Sequence, residues 1–191
     1  MTVPMALTLA RIVLAPVFFL LFSLAGQGSA GLLGGVWAVL IVMEVSDALD
    51  GHMARRLGQV SELGKILDPF ADSISRLTYF VAFTAAGIMP AWVLVILVYR
   101  DVAVAYIRVM VAREKVLMPA RTSGKLKAWV YAVAGFAGTA VFTLGKTGWL
   151  PGVVGPLGTI TFVLFVLCAA IAVWSLADYG YFFVKNFRKA S

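Results

Sequence analysis

Six runs of predominantly apolar residues, at 7–24, 32–50, 73–89, 92–112, 126–144 and 153–176, constrain this chain more than any other feature. A helix needs about 17–25 such residues to cross the hydrocarbon core of a bilayer. Each run therefore reads as one span. Of the 191 residues, 62% are hydrophobic and 13% charged, which is too apolar a balance for a soluble domain. The expected fold is an all-α integral membrane protein of six transmembrane helices, with a short N-terminal interfacial segment leading into the first. No repeat, heptad pattern or low-complexity linker breaks the sequence, so residues 1–191 read as a single domain. Residues 4–24 carry Arg11 within a long apolar run and no small-residue cleavage pattern, and are expected to be retained rather than removed as a signal.

The connections between the runs alternate in charge. Those near 26–31, 87–91 and 145–155 hold one basic residue between them, Lys146. The second connection carries Arg55, Arg56 and Lys65, and the fourth carries Arg113, Lys115, Arg121, Lys125 and Lys127. The positive-inside rule puts these two connections, and both termini, on the cytoplasmic side, which in a bacterial cell is the inner face of the cytoplasmic membrane. The net charge of +7 sits beside apolar spans rather than in a solvated basic domain. That placement fits anionic lipid headgroups and phosphate-bearing substrates and argues against nucleic acid. Cys168 and His52 are the only cysteine and histidine, so there is no internal disulfide, no thiolate metal site, and little scope for a Ser-His-Asp triad.

Residues 47–72, where the second run meets the third, hold four aspartates in a chain with nine acidic residues. A carboxylate at the centre of a spanning helix costs about 2.5–3.5 kcal/mol, and Arg55 alone cannot compensate four. The expectation is a bound cation. Asp47, Asp50 and Ala54 lie at i, i+3 and i+7 on one face of a helix, and Asp68 and Asp72, four apart, share a face of the next. Two antiparallel helices would bring these faces together. Carboxylate oxygens without His or Cys favour Mg²⁺ or Mn²⁺ over zinc, and two such ions form a clamp suited to phosphoryl transfer. Gly51 and Ala54 leave room for a nucleotide or pyrophosphate to approach, and Arg55 offers a planar fork to phosphate. Ser61 is a candidate cap for a helix running from there, with Pro69 well inside it, unless that helix begins near Asp68.

The spacing D-x2-D-G-x2-A-R-x8-G-x3-D-x3-D, filled by Asp47, Asp50, Gly51, Ala54, Arg55, Gly64, Asp68 and Asp72, resembles the signature of the CDP-alcohol phosphotransferase (phosphatidyltransferase) family. The opening VPMALTLARIVLAP, the run YRDVAVAYIR, SGKLK at 123–127 and VWSLADY near the end are similar to the bacterial phosphatidylglycerophosphate synthases of that family, although Thr2 stands where those have Asn. The resemblance implies six transmembrane helices, a homodimer, two divalent metals at the cytoplasmic side, and transfer of a phosphatidyl group from CDP-diacylglycerol to an alcohol with release of CMP. It implies Asp47, Asp50, Asp68 and Asp72 as metal ligands, Asp72 also as general base, and Asp47, Asp50, Gly51, Ala54, Arg55 and Gly64 at the CDP site.

The acceptor is read from the second basic group. Arg100, Arg108, Arg121, Lys125 and Lys127 gather on the side of the aspartates, as a pocket for an acceptor bearing its own phosphate, with glycerol 3-phosphate the expected one. Lipid contact and topology control are the plainer roles for the same cations, and Asp101 would neutralise one of them. Ser73 and Ala128 stand where the synthases usually have Lys and Thr, which leaves inositol phosphate or serine as alternative acceptors; Arg76 could replace the missing cation. A cation transporter is the rival from another class, and a catalytically silent assembly subunit a third; neither internal repeats nor paired interrupted helices support the transporter.

Overall fold

The computed structural model describes the backbone of residues 3–57, 62–113 and 122–187, and the side chains of residues 5–49, 67–111, 123–124 and 126–185. The described chain is all helical: α1 (Val3–Leu24), a 3₁₀ turn (Ala25–Gln27), α2 (Ala30–Leu57), α3 (Glu62–Ala85), α4 (Ala91–Arg113), α5 (Thr122–Thr147) and α6 (Pro151–Phe187). Four stretches are long and apolar enough to cross a bilayer: Met5–Gln27, Ala30–Leu49, Leu126–Thr147 and Pro151–Lys185. The protein is an integral membrane protein. α3 and α4 fall short of the same test because Asp68, Asp72 and Arg76 lie along the first and Arg100, Asp101 and Arg108 along the second.

Two boundaries differ from expectation and one open alternative is decided. The N-terminal lead-in is no separate element, since one helix runs unbroken from Val3 to Leu24. α3 begins at Glu62, so Pro69 does lie inside a helix, where it can donate no bond to the preceding turn. The last helix continues past the apolar run that ends at residue 176 and is helical as far as Phe187.

α1 packs with α2, α5 with α6, and α4 with α6, while α3 touches α1, α4 and α5 and so joins the two halves. The centre is aromatic. Phe18, Phe22, Tyr79, Phe80, Phe83, Tyr131, Phe142 and Phe165 are all buried, in stacked and edge-on contacts such as Phe22 on Phe142 at 3.8 Å and Phe80 on Tyr131 at 5.2 Å. α5 comes close to this cluster because Gly135 and Gly138 face it. A Cβ on Gly138 would lie 2.6 Å from Phe83 Cε2, and one on Gly135 3.2 Å from Tyr79 Cζ. Small residues at such a contact are how membrane helices reach close packing.

The α1–α2, α3–α4 and α5–α6 connections are short. At Gly87, φ is +72° and the Ile88 and Gly87 amides donate to the Phe83 and Thr84 carbonyls at 2.9 and 3.0 Å. This is the paired C-terminal cap that a left-handed glycine permits. With helices running alternately up and down, the polar ends of α1 and α2, the start of α3 and α5, and the ends of α4 and α6 share the opposite end of the bundle, where the candidate residues lie.

Candidate active site

The buried face of α1 runs Thr8, Arg11, Ala15, Phe18 and Phe22, a 3–4 spacing that continues the aromatic core into a polar end. An arginine on that face must find acids. Arg11 is 1% exposed, and its Nη1 donates to Asp47 Oδ1 of α2 and to Asp72 Oδ1 of α3, at 2.5 Å each. Arg76, one turn beyond Asp72, donates from Nη2 to Asp47 Oδ2 at 2.5 Å and lies 4.0 Å from Glu44 Oε2. The Asp47 and Asp72 carboxyl groups are thus brought side by side on the one Arg11 nitrogen. Asp68, one turn before Asp72, accepts a 2.7 Å bond from Thr8 Oγ1. Asp72 keeps 38% of its side chain exposed and Asp47 keeps 25%, so this end of the cluster faces outward.

The charge balance therefore differs from the sequence expectation. Arg55 is not the sole available counter-charge, because Arg11 and Arg76 enter from α1 and from the far side of α3. Asp47 and Asp72 are brought together and Asp68 stands beside them on Thr8. Among the described residues no three acidic groups meet in one ligating set. The side chains of Asp50, Gly51, Ala54, Arg55 and Gly64 lie outside the described residues.

A second polar cluster joins α4, α5 and α6 at the same end. Arg100 donates from Nη1 to Asp101 Oδ1 at 2.9 Å and from Nη2 to Ser175 Oγ at 2.6 Å. Lys127 donates to the same Asp101 oxygen and lies over the Tyr131 ring, 4.8 Å from its centroid. All three charged groups are buried. Arg108 donates to Tyr179 Oη at 3.0 Å and lies over that ring, 5.4 Å from its centroid, with Arg100 at 5.6 Å. Ser123 donates to Asp178 Oδ2 at 2.8 Å. Of the five expected acceptor cations, Arg100 and Lys127 meet on Asp101 and Arg108 on Tyr179; Arg121 and the Lys125 side chain lie outside the described residues. The two clusters connect through Tyr79, which follows Arg76 by one turn and donates to the Tyr131 carbonyl at 3.2 Å.

Sequence reasoning passed over Thr8, Arg11, Glu44, Ser175 and Tyr179 and gave Arg76 only a reserve role. For Arg11 a signal existed, since a charge inside an apolar run faces the bundle interior. Ser175 and Tyr179 lie in the run VWSLADY that shares in the family resemblance, but nothing local to them shows which side chains they meet, because that depends on which helix packs beside them.

The donors at the first cluster suit a hard divalent cation. They are oxygens only, two carboxyl groups are already side by side, and Glu44, Asp47, Asp68 and Asp72 outnumber Arg11 and Arg76 by two formal charges.

The model of the CDP-alcohol phosphatidyltransferase family matches residues 1–177. A probable phosphatidylglycerophosphate synthase of Mycobacterium tuberculosis is 35% identical over 128 residues, 67% of this chain and 61% of that protein. The chain thus spans about three fifths of the length of that relative. A CDP-diacylglycerol–glycerol-3-phosphate 3-phosphatidyltransferase of Bacillus subtilis is 30% identical over 69% of this chain and 72% of its own. A candidate cardiolipin synthase of Mycobacterium bovis is 32% identical over 96% of this chain and 80% of its own.

Proposed function

Because the chain belongs to the CDP-alcohol phosphatidyltransferase family, we propose that it transfers a phosphatidyl group from CDP-diacylglycerol to glycerol 3-phosphate, giving phosphatidylglycerophosphate and CMP. The observation that carries the reading is the pairing of Asp47 with Asp72 at an outward-facing end of the bundle, with Arg100, Arg108 and Lys127 gathered at that same end.

In this reading the acceptor hydroxyl attacks the lipid-side phosphorus in line with the departing CMP oxygen. Asp72, the more exposed of the paired carboxyls, takes the hydroxyl proton. The new phosphorus–oxygen ester forms as the bond to CMP breaks. Asp47, Asp50, Asp68 and Asp72 would hold Mg²⁺ or Mn²⁺, which when bound supplies positive charge to the pyrophosphate. Gly51, Ala54, Arg55 and Gly64 would line the CDP site, and Arg108, Arg121, Lys125, Lys127 and Arg100 would favour an anionic acceptor. All six helices would cross the membrane, with this end at the cytoplasmic face by the charge of its connections, in a homodimer embedded in the inner membrane.

A second reading shares the chemistry and changes the acceptor to phosphatidylglycerol, yielding cardiolipin. Its support is the resemblance to the M. bovis protein over 96% of the chain. CMP release from CDP-diacylglycerol by purified protein, with each acceptor alone, with Mg²⁺ or Mn²⁺ and with chelator, separates the two. Metal-dependent release with glycerol 3-phosphate alone supports the first reading, and release with phosphatidylglycerol alone replaces it with the second. Absence of release with both rejects these two acceptors, and absence with inositol phosphate and serine as well, from folded protein, rejects the enzyme reading.

A further inference from the structure

We propose that Arg11 and Arg76 are positioning residues of the divalent-cation site, a pair of guanidinium groups that holds Asp47 and Asp72 in one shared orientation from their buried side. The inference rests on the metal-dependent reading above and adds two residues to it.

Neither arginine is placed to meet a substrate. Arg11 is 1% exposed and the Arg76 side chain 8%, so both are covered by the chain itself, whereas Asp72 stays 38% open on the other side. What they do touch is specific. Asp47 has both oxygens engaged, Oδ1 by Arg11 and Oδ2 by Arg76, which fixes the plane of its carboxyl group. Asp72 is engaged on Oδ1 by the same Arg11 nitrogen that holds Asp47. One nitrogen therefore sets the separation of the two carboxyls, and it does so across three helices, since Arg11 is on α1, Asp47 on α2 and Asp72 on α3.

Two acids this close repel unless a cation or a proton lies between them. With only solvent for compensation they would swing to separate rotamers, and a metal would have to reassemble them. A carboxylate oxygen that accepts one hydrogen bond keeps a second lone pair, so engagement by the arginines leaves both groups able to ligate. Arginine suits the task because its fork is planar and rigid, while a lysine ammonium at the same place is a point charge without direction. Groups that orient metal ligands in this way commonly account for 10–100-fold in metal affinity.

The competing expectation has the opposite sign. If Arg11 and Arg76 were counter-charges only, removing one would deepen the negative potential and tighten cation binding. The test is Mn²⁺ affinity, read from the electron paramagnetic resonance of free Mn²⁺, for purified wild type, Arg11→Gln, Arg11→Lys, Arg76→Gln and Arg76→Lys, with thermal unfolding followed separately. The expected result is roughly 10–100-fold weaker Mn²⁺ binding in each glutamine variant, partial recovery in the lysine variants, and a larger rise in the apparent Mn²⁺ constant for CMP release than in KM for CDP-diacylglycerol. Unchanged or tighter Mn²⁺ binding in folded glutamine variants overturns the proposal. Where Arg11→Gln does not fold, the Arg76 variants and Arg11→Lys decide by the same reading. Wild type that neither binds Mn²⁺ nor releases CMP sinks the metal-dependent function and this inference together; wild type that does both, beside variants of equal affinity, sinks the inference alone.

Discussion

Replacing Asp101 by Asn tests whether the second polar cluster is held by charge. Among the described residues Asp101 is the acid that Arg100 and Lys127 share, and Arg100, Asp101 and Lys127 are 6%, 6% and 8% exposed. The substitution keeps the shape and takes away the negative charge, leaving two cations buried together. Breaking a buried pair from one side costs about 3–5 kcal/mol. The Asn side-chain oxygen still accepts a bond from one donor, which puts Asp101→Asn near the low end, about 3 kcal/mol, or roughly a hundredfold in the unfolding equilibrium. Adding Lys127→Met restores the net charge of the cluster and replaces an ammonium by an apolar chain of similar length, so the double variant should regain most of the loss. Unfolding in mixed detergent micelles, followed by circular dichroism for wild type, both single variants and the double, completes the cycle. A single Asp101→Asn variant within about 1 kcal/mol of wild type, or a double variant no more stable than that single one, would refute the reasoning.

Three further outcomes follow from the site and the core. Asp72→Asn should leave the helical content and melting behaviour in place while lowering CMP release by roughly 10²–10⁴-fold; retained turnover would remove Asp72 from the proton-transfer role. Chelation of divalent cations should abolish CMP release, and readdition of Mg²⁺ or Mn²⁺ should restore it; activity that survives exhaustive chelation counts against the metal reading. Gly138→Ala should destabilise by about 1–3 kcal/mol, because its Cβ would meet Phe83 at 2.6 Å in a ring cluster with nowhere to move. Gly135→Ala, at 3.2 Å, should cost less, and Phe83→Leu should relieve the first variant; a Gly138→Ala protein that melts above wild type would show that α5 can shift.

Helices were legible in the sequence wherever apolar residues ran unbroken, and the two polar clusters were legible as residue types. Their partners were not. The pairing of Asp47 with Asp72 follows from spacing along α2 and α3, but the cation between them comes from α1, 36 residues before Asp47. Nothing local to Arg11 says which acids it will meet, because that is decided by how α1 lies against both helices. Asp101 shows the same limit. Its neighbour Arg100 was an evident partner, whereas Lys127 arrives from α5 and competes for the same oxygen. The start of α3 was ambiguous for a different reason, since Pro69 argues against a helix interior locally while α3 runs through it.

The uneven polarity of the helices has a consequence for how the chain enters a membrane. α3 and α4 carry too many charges to be taken up as easily as their neighbours, yet each meets its partners in the order of synthesis. Arg11 and Asp47 belong to the apolar helices α1 and α2, already made when Asp72 and Arg76 emerge on α3. Arg100 and Asp101 leave the ribosome as neighbours in sequence, and in the fold this pair gains Lys127 from the next helix and Ser175 from the last. Integration of the polar helices thus becomes a relay in which Asp72, Arg76 and Lys127 are each received by a charge that precedes them, while Arg108 waits for Tyr179 on the last helix, and the tight Gly87 turn delivers α3 and α4 to that relay as a hairpin.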